Sequence, residues 1–567
     1  MKRNLTTVVI AVILSISYSH TQACTNFLVT KGASATGSTF ISYSADSHVL
    51  YGELYFWAAA KYPAGSMLKI YEWDTNKYLG EIAQAAETFR VIGNMNEYAV
   101  AIGETTYGGR HELAGSGIID YGSLIYITLQ RSRNAREAIK TICGLLNTYG
   151  YASEGESFSI SDPNEVWILE MIGKGKSDKG AVWVAVRIPD GYVSGHANHA
   201  RITAFPLEGR KVKNSISSKN IDKIFNPEVE YVYAEDVISF ARTAGYFTGT
   251  DAEFSFSDVY APLDFSAARA CEARVWSFFK QVNSSMWEYE DYALGHNLKH
   301  RMPLYIKPDK KLSLEDVKTA MRDHYEGTKM DMTTDIGAGA FKCPYRWRPM
   351  EFEFEGKSYV HERATATQQT GFWFIAEGRS WLPNPIGGIL WFSVDDAATS
   401  CLTPIYCGMT KVPEIFAVGN GDLLTYSDRS AFWLFNRVTN FVYSRYDVMS
   451  KDVLDVQKRF ESESEQLIGD IDKSAAALYA GNAEEAISAI TEFSLKRAQE
   501  MFDTWKKLDV YLLVKYIDGN IKKERGGKFE RTEDNYPVSP EQPKLPEFWI
   551  KKIVEDNGDI LQIPQES

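Results

Sequence analysis

Cys24-Thr25-Asn26-Phe27-Leu28-Val29, continued by Gly37-Ser38-Thr39-Phe40-Ile41 and closed by Asp46-Ser47, is the stretch on which the reading of this chain turns. From Thr25 to about Ala60 the sequence is rich in Val, Ile, Phe, Tyr and small residues, and Gly32 to Ser38 interrupts it as a turn cluster does, which predicts two strands in a hairpin. Upstream, Lys2 and Arg3 precede an apolar run from Val8 to Ile16, and Thr21-Gln22-Ala23 supplies small residues where a signal peptidase reads. The run is short for a bilayer span. Residues 1–23 are therefore expected to be a signal peptide whose removal leaves Cys24 as the first residue, with the product exported to the periplasm or outside the cell.

A cysteine at that place has two chemical uses that exclude each other. A free α-amino group has a pKa of about 7.7–8.0, so near neutral pH it can accept the thiol proton, and one residue then carries nucleophile and base together. Alternatively the sulfur is alkylated as a lipid anchor and cannot attack anything. Lipoprotein leaders usually place Leu three positions before the cysteine, where this chain has Thr21, followed by polar Gln22. Position alone also allows an ordinary buried cysteine.

Farther along, Phe89 to Ile102 and Tyr121 to Leu129 read as apolar strands or buried segments. Ala135, Ala138, Ile139, Ile142, Leu145, Leu146 and Tyr149 recur at helical spacing, with Gly150 placed to end the element. Ser157 to Ile160, Glu165 to Ile172 and Ala181 to Ile188 read as antiparallel strands. The stretch from Arg363 to Phe392 is again strand-like, and Val448 to Tyr516 turns helical, with Asn482 and Glu485 as a capping pair. Strands first, one helix between strand blocks and helices late predict a layered α+β body.

Several segments in order resemble the PepD-like dipeptidases, which form a cysteine peptidase family of N-terminal-nucleophile hydrolases related to bile-salt hydrolases and penicillin V acylases. Besides the opening stretch, the resemblance rests on Asn96-Glu97, Ala101-Ile102-Gly103-Glu104-Thr105-Thr106, Gly155-Glu156-Ser157-Phe158, Asp162-Pro163 and Trp183-Val184-Ala185-Val186-Arg187. It continues in Ala197-Asn198, Arg322-Asp323-His324-Tyr325-Glu326-Gly327-Thr328 and Gly387-Gly388-Ile389-Leu390-Trp391-Phe392. It implies a four-layer αββα N-terminal-nucleophile hydrolase fold with a helical C-terminal elaboration. The expected divisions are a signal peptide over 1–23, a peptidase body over 24–447, a helical region over 448–521 packed on the body, and a charged tail over 522–567. The implied activity is an exported cysteine dipeptidase acting on short peptides through a thioester.

Residue by residue, the resemblance makes Cys24 the nucleophile and Asp46 the acid that holds and orients the released amine. It makes Asn198 and Asn96 donors to the tetrahedral oxyanion, and Arg274, in Ala273-Arg274-Val275-Trp276, an electrostatic support. Relatives often carry Arg three residues before the aspartate, where this chain has Tyr43, and a phenol is no permanent cation. An acylase of another linear amide would use the same groups, and a non-catalytic surface lipoprotein could keep the scaffold.

Composition sets the bounds on partners. With 74 acidic against 61 basic side chains the formal charge is −13, which argues against nucleic-acid partners. No later segment has about 18 uninterrupted apolar residues, so no transmembrane segment is expected. Cys401 and Cys407 read as a local bridge or two buried thiols, and no CxxC with partner histidines suggests zinc. His196 with His199, and His296 with His300, lack an HExxH frame and read as surface or hydrogen-bonded histidines. No metal or cofactor is expected, and the sequence does not speak to oligomeric state.

Overall fold

The structure, a computed structural model, describes residues 23–176 and 178–564. Apart from Ala23, the expected signal peptide lies outside the described residues.

The opening stretch forms the predicted hairpin. Asn26–Val29 and Thr39–Asp46 pair antiparallel, with Leu28 opposite Ile41 and Val29 opposite Phe40. They sit in the middle of a seven-stranded sheet whose order is Tyr305–Ile306, Val193–His196, Asn26–Val29, Thr39–Asp46, Thr370–Gly378, Gly388–Val394 and Thr403–Tyr406. A nine-stranded sheet holds Ala101–Tyr107, Gly155–Ser161, Val166–Gly173 and Ala181–Arg187 as consecutive antiparallel neighbours. The fold is therefore α+β.

Alternation along the hairpin decides what each face touches. Phe27, Val29 and Phe40 enter one core with Trp373, Ile375 and Trp391, beneath Trp276 and Phe278 of the helix Ala273–Val282 and Val317 of the helix Leu314–Met321. Leu28, Ile41 and Tyr43 point the other way, into the core shared with Ile102, Phe158 and Ile160 of the second sheet. Cys24 has the parity of Asn26 and Leu28, and so faces the second sheet. The strand Thr39–Asp46 lies directly on Ala101–Tyr107 and Gly155–Ser161.

The helix Ala135–Tyr149 is where its spacing predicts. Asn134 caps it by accepting from the Glu137 N–H, and Gly150 ends it at φ 77°. Its apolar stripe packs on Gly155–Ser161, Val166–Gly173 and Ala181–Arg187. Tyr121–Leu129 is a helix, not a strand, capped by Asp120, whose carboxylate accepts from the Ser123 N–H. Almost all of it is buried, so its apolar residues run round the whole helix and leave no stripe to read. Two long helices, Tyr446–Tyr479 and Ala483–Tyr516, pack on each other, and Asn482 caps the second through the Glu485 N–H. Glu461 of the first ion-pairs with Lys318 at 3.3 Å and Arg322 at 2.6 Å. No helix among the described residues is long and apolar enough to cross a membrane. Cys401 and Cys407 are buried, unbridged thiols.

One polar side chain ties the two sheets together close to the site. The His196 ring, fully buried opposite Asn26, meets Thr105 Oγ1 at 2.8 Å and Ser159 Oγ at 2.7 Å. Burial first, and then the Arg201 charge, lower its pKa to about 3. A histidine whose pKa is lower in the folded state favours folding above the ordinary value near 6.5 and loses that contribution as pH falls toward 3. Between pH 6.5 and 4 the parent should lose about 1.4 kcal/mol per pH unit more than His196→Gln, measured by denaturant unfolding across that range. Equal pH slopes in the two proteins would contradict this reading of His196.

Candidate active site

Cys24 lies two residues before the central strand and is only 2% exposed. Ahead of it the Ala23 N–H donates to the Asp46 carbonyl at 2.9 Å, and Thr25 and Ser44 exchange main-chain bonds at 3.2 and 3.0 Å. The start of the described chain is thus zipped to the end of the neighbouring strand, which places Asp46 beside Cys24. A bulge sharpens this placement: Ala45 pairs with Phe372 but Asp46 with Thr370, leaving Gly371 as the extra residue. The Asp46 carboxylate accepts from Thr370 Oγ1 at 2.6 Å, Ser44 Oγ at 3.1 Å and Arg363 Nη2 at 2.5 Å.

Arg274 completes the main-chain cradle. It enters from the helix Ala273–Val282, which is preceded by a wide π-type turn over Ala267–Glu272, and its Nε donates to the Ala270 carbonyl at 2.8 Å. One guanidinium nitrogen donates to the Cys24 carbonyl at 2.6 Å and to Thr25 Oγ1 at 2.8 Å. The other reaches Asn198 Oδ1 at 3.0 Å. Asn198 holds a left-handed backbone at φ 58°, which Asn tolerates better than most residues, and its amide donates to the Thr106 carbonyl at 2.6 Å. Four of the five expected residues, Cys24, Asp46, Asn198 and Arg274, therefore converge.

Asn96 does not join them. Its Oδ1 accepts from the N–H groups of Tyr98 and Val100, and its amide donates at 2.7 Å to the carbonyls of both Leu129 and Ser132. An amide has two protons, and both are committed. Asn96 shapes a turn and anchors the end of the helix Tyr121–Leu129, so the expectation of an oxyanion donor there is corrected.

On the face toward the second sheet the thiol meets carboxyl groups. Cys24 Sγ lies 3.7 Å from Glu104 Oε1 and 3.8 Å from the Tyr43 hydroxyl, and that hydroxyl donates a short bond to the same Glu104 oxygen. Glu156 is the neighbour of Glu104, and burial followed by the Glu104 charge pushes the Glu156 carboxyl well above the usual range. The Cys24 thiol is likewise held well above its usual pKa, first by burial and then by the charges of Glu104 and Asp46. The Asp46 backbone N–H and the Tyr43 hydroxyl oppose that rise without reversing it. The arrangement stores a protonated sulfur, which needs a proton acceptor close by before it can attack.

The sequence match now has a structural counterpart. The model describing peptidase family C69 matches residues 23–459, a span that begins one residue before Cys24 and takes in Asp46, Asn198, Arg274 and Arg363. The chain belongs to peptidase family C69. It is a peptide-bond hydrolase of the cysteine type. Curated relatives include a protein named probable dipeptidase from Latilactobacillus sakei, 24% identical over 80% of this chain and 88% of its own length. Another probable dipeptidase, from Salmonella dublin, is 24% identical over 68% of this chain and 81% of its own. Dipeptidase A from Lactobacillus helveticus is 21% identical over 70% of each.

Within this C69 chain, Tyr43 stands where the resemblance led to the expectation of Arg, and the structure shows what the phenol does there: it caps Glu104. Arg274 does not supply the missing charge at the sulfur, since its guanidinium binds the main chain of Cys24. Sequence reasoning missed Arg363 and gave Glu104 no role. Glu104 stands inside the quoted Ala101 to Thr106 segment, so a signal was present. Arg363 reaches Asp46 from 317 residues away, and nothing local marks it.

Proposed function

We propose that this C69 peptidase is an exported cysteine dipeptidase with the four-layer αββα N-terminal-nucleophile arrangement, in which Cys24 becomes the first residue when a leader ending at Ala23 is removed. The observation that carries the reading is the meeting of Asp46, Arg274 and Asn198 around the main chain of Cys24, with the thiol itself kept protonated. Freed from Ala23, the Cys24 α-amino group is a base on the same residue as the thiol. Asp46, whose carbonyl accepts the Ala23 N–H and whose carboxylate shares Arg363 with the Ala23 carbonyl, is placed to orient it and favour its charged form after proton transfer. Sγ attacks the peptide carbonyl carbon while the amine takes the thiol proton, then returns it to the leaving amine. The tetrahedral oxygen is met by the Asn198 amide, whose oxygen end Arg274 holds. Water attacks the thioester through the same donors, releasing the acid and restoring the thiol. The printed names of the relatives support a dipeptide substrate.

Mass spectrometry of the exported protein tests the first step. The expected N-terminus is unmodified Cys24; any other first residue, or a diacylglyceryl group on the sulfur, refutes the mechanism.

A further inference from the structure

Arg363 faces two ways. Besides Asp46 it donates to the Ala23 carbonyl, the last peptide oxygen before Cys24. It also lines a small pocket of about 40 Å³ together with His48, Arg346, Arg348, Gln368 and Gln369. The polar groups around this pocket are mismatched in a consistent direction. Arg346 Nε, Arg363 Nε, Gln368 Nε2 and Gln369 Nε2 are all buried donors with no acceptor among the described residues. Buried donors rarely stay unpaired, because each costs about 1–3 kcal/mol.

The charges are mismatched in the same sense. Arg346 has Asp335 at 2.7 Å and Arg363 has Asp46, while Glu362, the pocket's acidic wall, is taken by Arg269. Among the described residues Arg348 has no carboxylate partner; its guanidinium donates to Gln369 Oε1, which turns the Gln369 amide nitrogen away as one more donor. The excess positive potential is felt by its neighbours. The His48 imidazole has its pKa lowered by partial burial and then by Arg348 and Arg363, and that of Arg348 is lowered by partial burial and then by Arg363.

The geometry points to this pocket as the site for the free α-carboxylate of the substrate's C-terminal residue, with Arg348 as its counter-ion and the Gln368 and Gln369 amides as additional donors. This rests on the dipeptidase reading and deepens it. In a dipeptide the carboxylate is one residue from the bond being cut, and Arg363 is the side chain that joins the surroundings of Cys24 to the pocket. Once Ala23 is removed, Arg363 Nη2 loses an acceptor that a substrate oxygen replaces. A longer peptide would put a neutral amide where the carboxylate belongs, so the same pocket limits length.

The test uses protein beginning at Cys24 and compares hydrolysis of a dipeptide with that of its C-terminal amide. The parent should prefer the free acid. In Arg348→Met the ratio of the two kcat/KM values should fall ~10- to 100-fold, the range expected for losing one charged hydrogen-bonding partner, with the change carried by KM for the acid. Gln368→Glu keeps the side-chain shape, places a negative charge in the pocket, and should lower the ratio in the same direction. Because the ratio is internal to each preparation, a partly unfolded variant does not distort it. A parent indifferent to the C-terminal charge, or a ratio unchanged in both variants, overturns the assignment. A parent that cleaves neither compound refutes the dipeptidase reading and this site with it, whereas cleavage of both at equal rates refutes the site alone.

Discussion

Cys24→Ser should leave a folded protein that hydrolyses its dipeptide at least ~10⁴-fold more slowly than the parent, by analogy with the loss of a nucleophile in other covalent hydrolases. The side chain is nearly fully buried between Tyr43 and Glu104, and a hydroxyl is close to a thiol in size, so the packing there should hold. What changes is acidity. A serine hydroxyl is a far weaker acid than a thiol, and the surrounding carboxyl groups that already oppose ionisation of the sulfur would oppose an alkoxide more strongly. Steady-state kinetics on a dipeptide panel, with circular dichroism as the check on folding, reads the effect. Retention of a tenth of the parent rate would remove Cys24 from the reaction.

The second large effect concerns Asp46 and Arg363. Their side chains are 0% and 8% exposed, the ion pair is 2.5 Å long, and both partners have further hydrogen bonds. Removing one charge of a buried pair strands the other and costs about 3–5 kcal/mol. Asp46→Ala should lower stability by that amount and also, on the proposed mechanism, abolish most activity, because the amine of Cys24 would lose its orienting neighbour. Asp46→Asn combined with Arg363→Gln removes both charges at once. Compared with the single variants Asp46→Asn and Arg363→Gln, it should recover part of the stability without recovering the rate, so stability and catalysis separate in one double-mutant cycle. A single Asp46→Ala change costing less than 1 kcal/mol in denaturant unfolding would show that the pair is not the buttress described.

How much of this could be seen before folding depends on whether the information was local. The hairpin at Cys24 is local: alternation and a turn cluster specify it, and the strands pair as expected. The helix Ala135–Tyr149 is equally local, having a stripe, an Asn cap and a terminal Gly. Tyr121–Leu129 had the cap at Asp120, but its sequence is apolar on every side, and a segment buried all round carries no period that distinguishes helix from strand. Cys24, Asp46, Asn198 and Arg274 could be found because the motif matches are themselves local stretches. Asn96 was assigned by the same route and misread, because an amide's role depends on which partners claim its protons. The bond from Arg363 to Asp46, and the contact of Tyr43 with Glu104, exist only once segments far apart in sequence, and two different sheets, are brought together.

Burial of the Ala23 to Cys24 junction carries a consequence for the timing of biogenesis. A protease that trims a leader needs several extended residues laid across its own cleft, with the bond to be cut accessible. In the folded chain Ala23 is 9% exposed, its N–H belongs to Asp46 and its carbonyl to Arg363. If residues 1–23 are removed as proposed, the cut must therefore come while this segment is still threaded and slack, before the central strand docks. On the proposed mechanism, a chain that closed its sheets too early would be an intact, inactive precursor whose Ala23 to Cys24 bond no leader peptidase could reach.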